Sequence, residues 1–298
     1  MAEIKCKEIK LTVPWGHVAA KTYGPSSGEH VLLVHGHQDN AGSYNRLMKY
    51  LPMGFFYYVC IDLPGHGWSS HFPSWIMLDI MDYAHAMHFI LEALQWKTCI
   101  YIGHSVGAQI GLIFSVFQPH RIKKIISFDG FIMRYVNELG TFVTFFEKAS
   151  AFSIKASNNI ESISYTKEEV LYALKNLRFA ALNSEAANAL FERTVTEVNK
   201  KYVYNRDIRL KNNSMFINMD QIIEINRRLT VPIYLFVPSN GYISINEDTF
   251  TLIVKTLNPK TILKVINIDG NHDFHNNDPQ KVAPFVYKIL TSNNYSKL

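Results

Sequence analysis

A serine bracketed by glycines two positions either side, Gly103-His104-Ser105-Val106-Gly107, follows the apolar run Cys99-Ile100-Tyr101-Ile102 and precedes a segment that reads as a helix. A strand turning this abruptly into a helix strains its central residue, and the glycines remove side chains that would collide. The Ser105 hydroxyl is thereby presented as a nucleophile. At neutral pH it is a weak one, so it needs an imidazole within hydrogen-bond reach and a carboxylate to hold that imidazole. His272, in Gly270-Asn271-His272-Asp273-Phe274-His275 after the apolar strand ending at Ile268, is the candidate base. His275 is its rival and reads better as support for the loop.

The carboxylate is harder to place. Triads of this order put it after the strand preceding the base's strand, here the loop Pro238-Ser239-Asn240-Gly241-Tyr242-Ile243, which has no acid before Glu247-Asp248. The other position is Asp129, at the end of Ile126-Ser127-Phe128. Asp129 is preferred, with Asp248 the alternative and equally readable as a solvated helix-start residue. Acyl transfer also needs donors aimed at the developing oxyanion. His35-Gly36-His37 closes the strand run Val31-Leu32-Leu33-Val34, so the backbone N–H groups of His37 and Val106 are the expected pair. Gly36 would let the backbone approach the substrate closely; the side chains of His35 and His37 are not required for that role. Cys60 lies mid-strand and is a poor nucleophile candidate. Gly65-His66-Gly67 reads as a turn and not a phosphate cradle, because no Lys-Ser or Lys-Thr pair follows.

These residues must be positioned by a sheet. Runs 4–13 and 17–23 alternate about Pro14-Trp15-Gly16 and predict an opening hairpin. Apolar runs at 31–34, 57–61, 99–102, 122–128, 233–237 and 262–268 predict strands covered on both faces. Helical spacing at 77–94, 106–117 and 282–290 lies between or after them, so the connections are crossovers and the sheet is mainly parallel, α/β in class. Residues 131–229 interrupt the alternation with helical patterns at 141–151, 166–177 and 183–199. Ser184 followed by Glu185 resembles a helix start. The expected organisation is a core of residues 1–130 and 230–292, a helical cap or lid at 131–229, and a tail at 293–298.

Composition sets the outer limits. The chain has 298 residues, 48% of them hydrophobic and 18% charged, enough for one large domain with an insertion. Its formal charge of +5 is spread thinly and does not indicate a nucleic-acid partner. Three cysteines, Cys6, Cys60 and Cys99, suggest neither a disulfide framework nor a metal site, and Cys60 and Cys99 read as buried thiols. No run is long enough for a membrane span and no secretory signal opens the sequence. The sequence closes Ser296-Lys297-Leu298, the tripeptide read by the peroxisomal import receptor, which predicts that receptor as a partner and the peroxisome as destination, with the cytoplasm before import.

Taken together, the residues resemble the α/β-hydrolase superfamily and, within it, the serine hydrolase-like proteins of animals. The likeness runs through Val13-Pro14-Trp15-Gly16-His17-Val18-Ala19-Ala20-Lys21, His35-Gly36 with Asp39-Asn40-Ala41, and Gly65-His66-Gly67 with Ser69-Ser70-His71. It continues in Gly103-His104-Ser105, Asn205-Arg206-Asp207 with Arg209-Leu210, Gly241-Tyr242, and Gly270-Asn271-His272 with His275 and Pro279. The resemblance implies an α/β-hydrolase fold of about eight strands with an inserted helical cap. The chain departs from the superfamily at Asn240-Gly241, where a carboxylate is usual.

The expected function is a cofactor-free serine hydrolase, of carboxylesterase or thioesterase type, acting on a small-molecule acyl ester or thioester. Ser105, His272 and Asp129 form the triad. A fold retained for ligand binding with little turnover is one alternative, motivated by the displaced acid. An acyltransferase is another. Serine at position 105 argues against the aspartate-nucleophile chemistries of dehalogenases and epoxide hydrolases.

Overall fold

The computed structural model describes residues 5–158, 163–212 and 216–292. The tripeptide Ser296-Lys297-Leu298 lies outside them. The chain opens on a hairpin of β1 (Lys7–Val13) and β2 (Gly16–Tyr23), paired antiparallel from Lys7 opposite Thr22 to Val13 opposite Gly16. There follow β3 (Glu29–Val34), β4 (Phe56–Ile61), α1 (Ile80–Ala93), β5 (Cys99–His104), α2 (Val106–Phe117) and β6 (Ile122–Phe128). An insertion then holds α3 (Leu139–Ser157), α4 (Lys167–Asn176), α5 (Ser184–Thr194), the short strands β7 (Val195–Val198) and β8 (Lys201–Tyr204), and α6 (Met219–Arg228). The core resumes with β9 (Ile233–Asn240), α7 (Glu247–Lys255), β10 (Leu263–Asn271), α8 (Phe274–Asn277) and α9 (Pro279–Thr291).

The main sheet has eight strands in the order β1-β2-β4-β3-β5-β6-β9-β10. Neighbours from β4 to β10 are parallel, while β2 meets β1 and β4 antiparallel. The continuous apolar runs have a simple cause: side chains on both faces of these strands are covered. Along β3, Leu32 and Val34 enter one core with α1 and α2, while Val31 and Leu33 enter the other with α9. Cys99 and Tyr101 of β5 alternate with Ile100 and Ile102 in the same way. Cys60 and Cys99 are buried free thiols, and burial is the first cause raising both, Cys99 to about 12.

Local departures from the sequence reading are set by caps and turns. Helix α1 starts at Ile80 because Asp79 caps it, accepting from Met81 N at 2.9 Å, so Met77 and Leu78 lie outside. Helix α5 is capped by Asn183, not Ser184, through Ala186 N at 2.8 Å. The helical spacing over 183–199 overran. Residues 195–198 form β7, because Asn199 and Lys200, with φ of 50° and 62°, turn the chain back into β8. The insertion has a small core of its own, including Val170, Leu174, Ala186, Leu190 and Val195. Among the described residues no helix is long and apolar enough to cross a membrane.

Candidate active site

Ser105 sits between β5 and α2 with φ 51° and ψ −124°, a left-handed conformation costly for any residue with a side chain. Crowding around it explains the spacing of the glycines. A Cβ at Gly107 would lie 2.3 Å from the Val34 carbonyl oxygen of β3, and one at Gly103 2.5 Å from Ala108 N. The turn is pinned by Ser105 N donating to Phe128 O at 2.9 Å, and by Ala108 N and Gln109 N donating back to Ser105 O at 3.0 and 3.2 Å.

Because β3, β5, β6, β9 and β10 are parallel, the loops after them meet at one edge of the sheet. His272, following β10, donates from Nδ1 to Asp129 Oδ2 at 2.5 Å across the full width of β9. Asp129 follows β6 directly, also at positive φ (46°), and is almost wholly buried. Its carboxylate accepts two further bonds, from Tyr242 N at 2.6 Å and Ile243 N at 3.0 Å. The missing acid after β9 thus has a structural counterpart. A Cβ at Gly241 would fall 2.3 Å from Asp129 Oδ2, so the bare loop yields space to the neighbouring strand's carboxylate and contributes backbone donors to it. Asp248 is exposed on α7 and makes no hydrogen bond to His272 among the described residues.

With Nδ1–H committed to Asp129, the His272 Nε2 keeps its lone pair. Burial acts first to lower the His272 pKa, but the Asp129 hydrogen bond and the charges of Asp273, Asp129 and Asp39 outweigh it, leaving the ring above its ordinary value. Ser105 and His272 line one cavity of about 1050 Å³. No hydrogen bond joins the Ser105 hydroxyl to the ring among the described residues; such bonds often tighten only with substrate bound.

His37 and Val106 line the same cavity, and no bond among the described residues occupies either backbone N–H. The neighbouring Gln38 N is already taken, donating to His66 Nε2 at 3.1 Å. The His37 side chain bonds Leu210 O at 2.8 Å, and His35 Nε2 accepts from Leu63 N at 2.9 Å, so both rings brace loops. At Gly36 the close approach is to protein and not to open space: a Cβ there would meet His104 Nδ1 at 2.7 Å and Ser105 Cβ at 3.2 Å. His104 Nε2 donates to the His272 carbonyl at 3.0 Å, and its ring lies 4.2 Å from that of His275. Burial holds His104 and His275 well below the usual histidine pKa, so both are neutral. His275 supports the loop by packing, stacked also on Phe128 at 5.5 Å.

Sequence reasoning missed one cluster. Arg178, between α4 and α5, bridges two buried acids, donating to Asp39 Oδ1 at 2.6 Å and Asp273 Oδ1 at 3.0 Å. Asp39, His104 and Asp273 offer ligand atoms within 4.8 Å of one another, as a metal site would, but the guanidinium supplies the cation there. The adjacent Phe179 packs its ring edge-on against His272 at 5.2 Å. The insertion therefore touches His272 and the loops that hold Asp39 and Asp273 through two consecutive residues. The only signals in the sequence were Asp39 and Asp273 beside site residues; nothing marked a distant arginine as their partner.

Comparison with known proteins agrees with this architecture. Residues 29–223 match the model of the alpha/beta hydrolase fold family. A serine hydrolase-like protein of Danio rerio is 30% identical over 95% of this chain and 88% of its own length. The chain belongs to the serine hydrolase-like α/β hydrolases. Another relative, serine hydrolase-like protein 2 of Homo sapiens, is also 30% identical, over 95% of this chain and 93% of its own. The crystal structure of a hypothetical protein from Pseudomonas aeruginosa superposes with a TM-score of 0.83 at 25% identity, covering 95% of this chain and 98% of that one. In this member of the family the elbow Ser105 and His272 line one cavity, and His272 is hydrogen-bonded to the buried Asp129 that follows β6.

Proposed function

We propose that the chain is a serine hydrolase cleaving a carboxylic ester or thioester through an acyl-enzyme on Ser105. The hydroxyl attacks the acyl carbon as His272 Nε2 takes its proton, and the charge developing on the carbonyl oxygen is held by the N–H groups of His37 and Val106. The tetrahedral intermediate collapses, the acyl–oxygen or acyl–sulfur bond breaks, and His272 returns the proton to the departing alcohol or thiol. Water then attacks the acyl-enzyme with His272 again as base, releasing the acid and restoring Ser105. Asp129 holds the tautomer that leaves Nε2 as acceptor. Residues 131–229 act as the lid, with Phe179 and Arg178 laid against the base and its loop.

The observation that carries this reading is the 2.5 Å Asp129–His272 bond opening onto the cavity that also holds the strained Ser105. A structural ion pair would not need its histidine beside a nucleophile elbow. Treatment with a fluorophosphonate probe tests it: stoichiometric labelling is expected, and Ser105→Ala should abolish it. Well-folded protein that takes up no label would instead favour the ligand-binding reading.

A further inference from the structure

We propose that the substrate carries an anionic oxygen group, a carboxylate or a phosphate, held by Arg206 and Arg134 in the cavity beside Ser105. This rests on the hydrolase reading above and names the class of molecule that the site takes. The motif Asn205-Arg206-Asp207 leads to it, because its outer residues are consumed by structure and its centre is not. Asn205 donates from Nδ2 to Arg193 O at 3.0 Å and accepts from Thr196 Oγ1 at 2.6 Å. Asp207 N donates to Gly65 O at 2.8 Å, and the Asp207 carboxylate takes Arg209 at 2.6 Å. Between these two anchors Arg206 faces the cavity, half-buried, its guanidinium 4.5 Å from the centre of the Tyr204 ring and Nη1 donating to Gln38 Oε1.

Such a platform fixes the guanidinium without neutralising it. Neither Arg206 nor Arg134 has a carboxylate in ion-pair range among the described residues, whereas Arg178 in the same lining is shared by Asp39 and Asp273. The other acids of the lining, Glu168 and Glu169, are exposed on α4, and Glu169 is turned back to cap Thr166 N at 2.7 Å. Asp39 and Asp273 are thus taken up by Arg178, whereas Arg206 and Arg134 keep their charge without a carboxylate in ion-pair range among the described residues. Burial pushes the His37 pKa down to about 4, against the Leu210 hydrogen bond and the Asp39 charge, with small further contributions from the Arg134 and Arg206 charges. Arg206 is half-buried and Arg134 exposed, and an anionic oxygen group on the substrate would meet their guanidinium groups with paired, charge-assisted bonds.

The anion has two possible origins, and matched substrates separate them. For the acyl side, the para-nitrophenyl monoester of glutarate is compared with para-nitrophenyl valerate. For the leaving group, butyryl-coenzyme A is compared with the uncharged butyryl thioester of N-acetylcysteamine. Wild-type protein is expected to prefer the anionic member of at least one pair by about tenfold or more in kcat/KM, and Arg206→Gln to cut that preference about tenfold to a hundredfold. Arg206→Lys should retain part of it. Calorimetry of glutarate and of adenosine bisphosphate on Ser105→Ala protein adds a readout that needs no turnover. Binding that Arg206→Gln weakens upholds the subsite even if no ester is cleaved, in which case only the hydrolase reading fails. Ester cleavage without anionic preference, together with absent or Arg206-independent anion binding, overturns the subsite and leaves the hydrolase reading in place.

Discussion

Replacing Asp129 by Asn changes one atom's chemistry at the centre of the site and leaves its shape alone. The left-handed backbone at φ 46° suits asparagine as well as aspartate, so strain there is unchanged. The hydrogen bonds cannot all survive. Oδ2 accepts from both His272 Nδ1 and Tyr242 N, and Oδ1 accepts from Ile243 N. An amide placing its nitrogen at Oδ2 opposes the Tyr242 N–H and donates to His272, which moves the imidazole proton to Nε2 and turns the base into a donor. The opposite flip keeps His272 in register but drives the amide against the Ile243 N–H. Either way a buried backbone donor loses its acceptor, a stability loss of about 1–3 kcal/mol. The tautomer bound by the carboxamide costs about 10⁴-fold in kcat, close to 5 kcal/mol of transition-state stabilisation. Single-turnover acylation by a para-nitrophenyl ester, run beside fluorophosphonate labelling and a thermal melt, separates loss of chemistry from loss of fold. A folded Asp129→Asn protein within about tenfold of wild type, with Asp248→Asn crippled instead, would refute the assignment of the acid.

Four further outcomes follow from the same geometry. His272 must be neutral to act and its pKa lies above the ordinary 6.5, so kcat/KM should fall as pH drops through a value above 6.5; a limb below 6.5 in wild type contradicts the ring's environment. The buried neutral rings His35, His66, His104 and His275 have lowered folded values instead, so the unfolded chain binds more protons below 6.5 and the melting temperature should also fall on acidification. Gly241→Ala puts a methyl where Asp129 Oδ2 now sits 2.3 Å away, and should lower kcat about a hundredfold, with Tyr242 and His272 displaced in a crystal structure of the variant. Arg178→Met strands Asp39 and Asp273 without their cation and should cost about 3–5 kcal/mol in urea unfolding; a change under 1 kcal/mol, order of magnitude, would mean that the aspartates find other partners. Finally, we propose Ser296-Lys297-Leu298 as a peroxisomal address: a fluorescent fusion ending in it is expected to be punctate, and removing Leu298 to disperse it.

What could be read without coordinates was whatever depends on neighbours in sequence. Apolar runs such as Cys99-Ile100-Tyr101-Ile102 announce strands covered on both faces, because side-chain alternation places every second residue on each face. The glycines at 103 and 107 announce the elbow, because a turn that tight leaves no room for Cβ atoms. Where local pattern was ambiguous, local reading failed: 195–198 fit helical spacing, yet the positive φ at Asn199 and Lys200 makes them half of a hairpin. Partners far apart along the chain were beyond local pattern altogether. Arg178 meets Asp39 and Asp273 only because the insertion folds back over the sheet, and no spacing rule connects those positions. The Asp129–His272 pair lies between these cases. Asp129 could be named from its place at a strand end, but its pairing with His272 depends on strand order, on β9 lying between β6 and β10, and on Gly241 leaving space for the carboxylate. Sequence alone determined the chemistry on offer, since residue type and local backbone fix what a side chain can donate or accept. Tertiary structure decided which groups meet, since hydrogen bonds act over a few ångströms and only the packed fold brings residues 105, 178 and 272 to a common cavity and 129 into bonding range of 272.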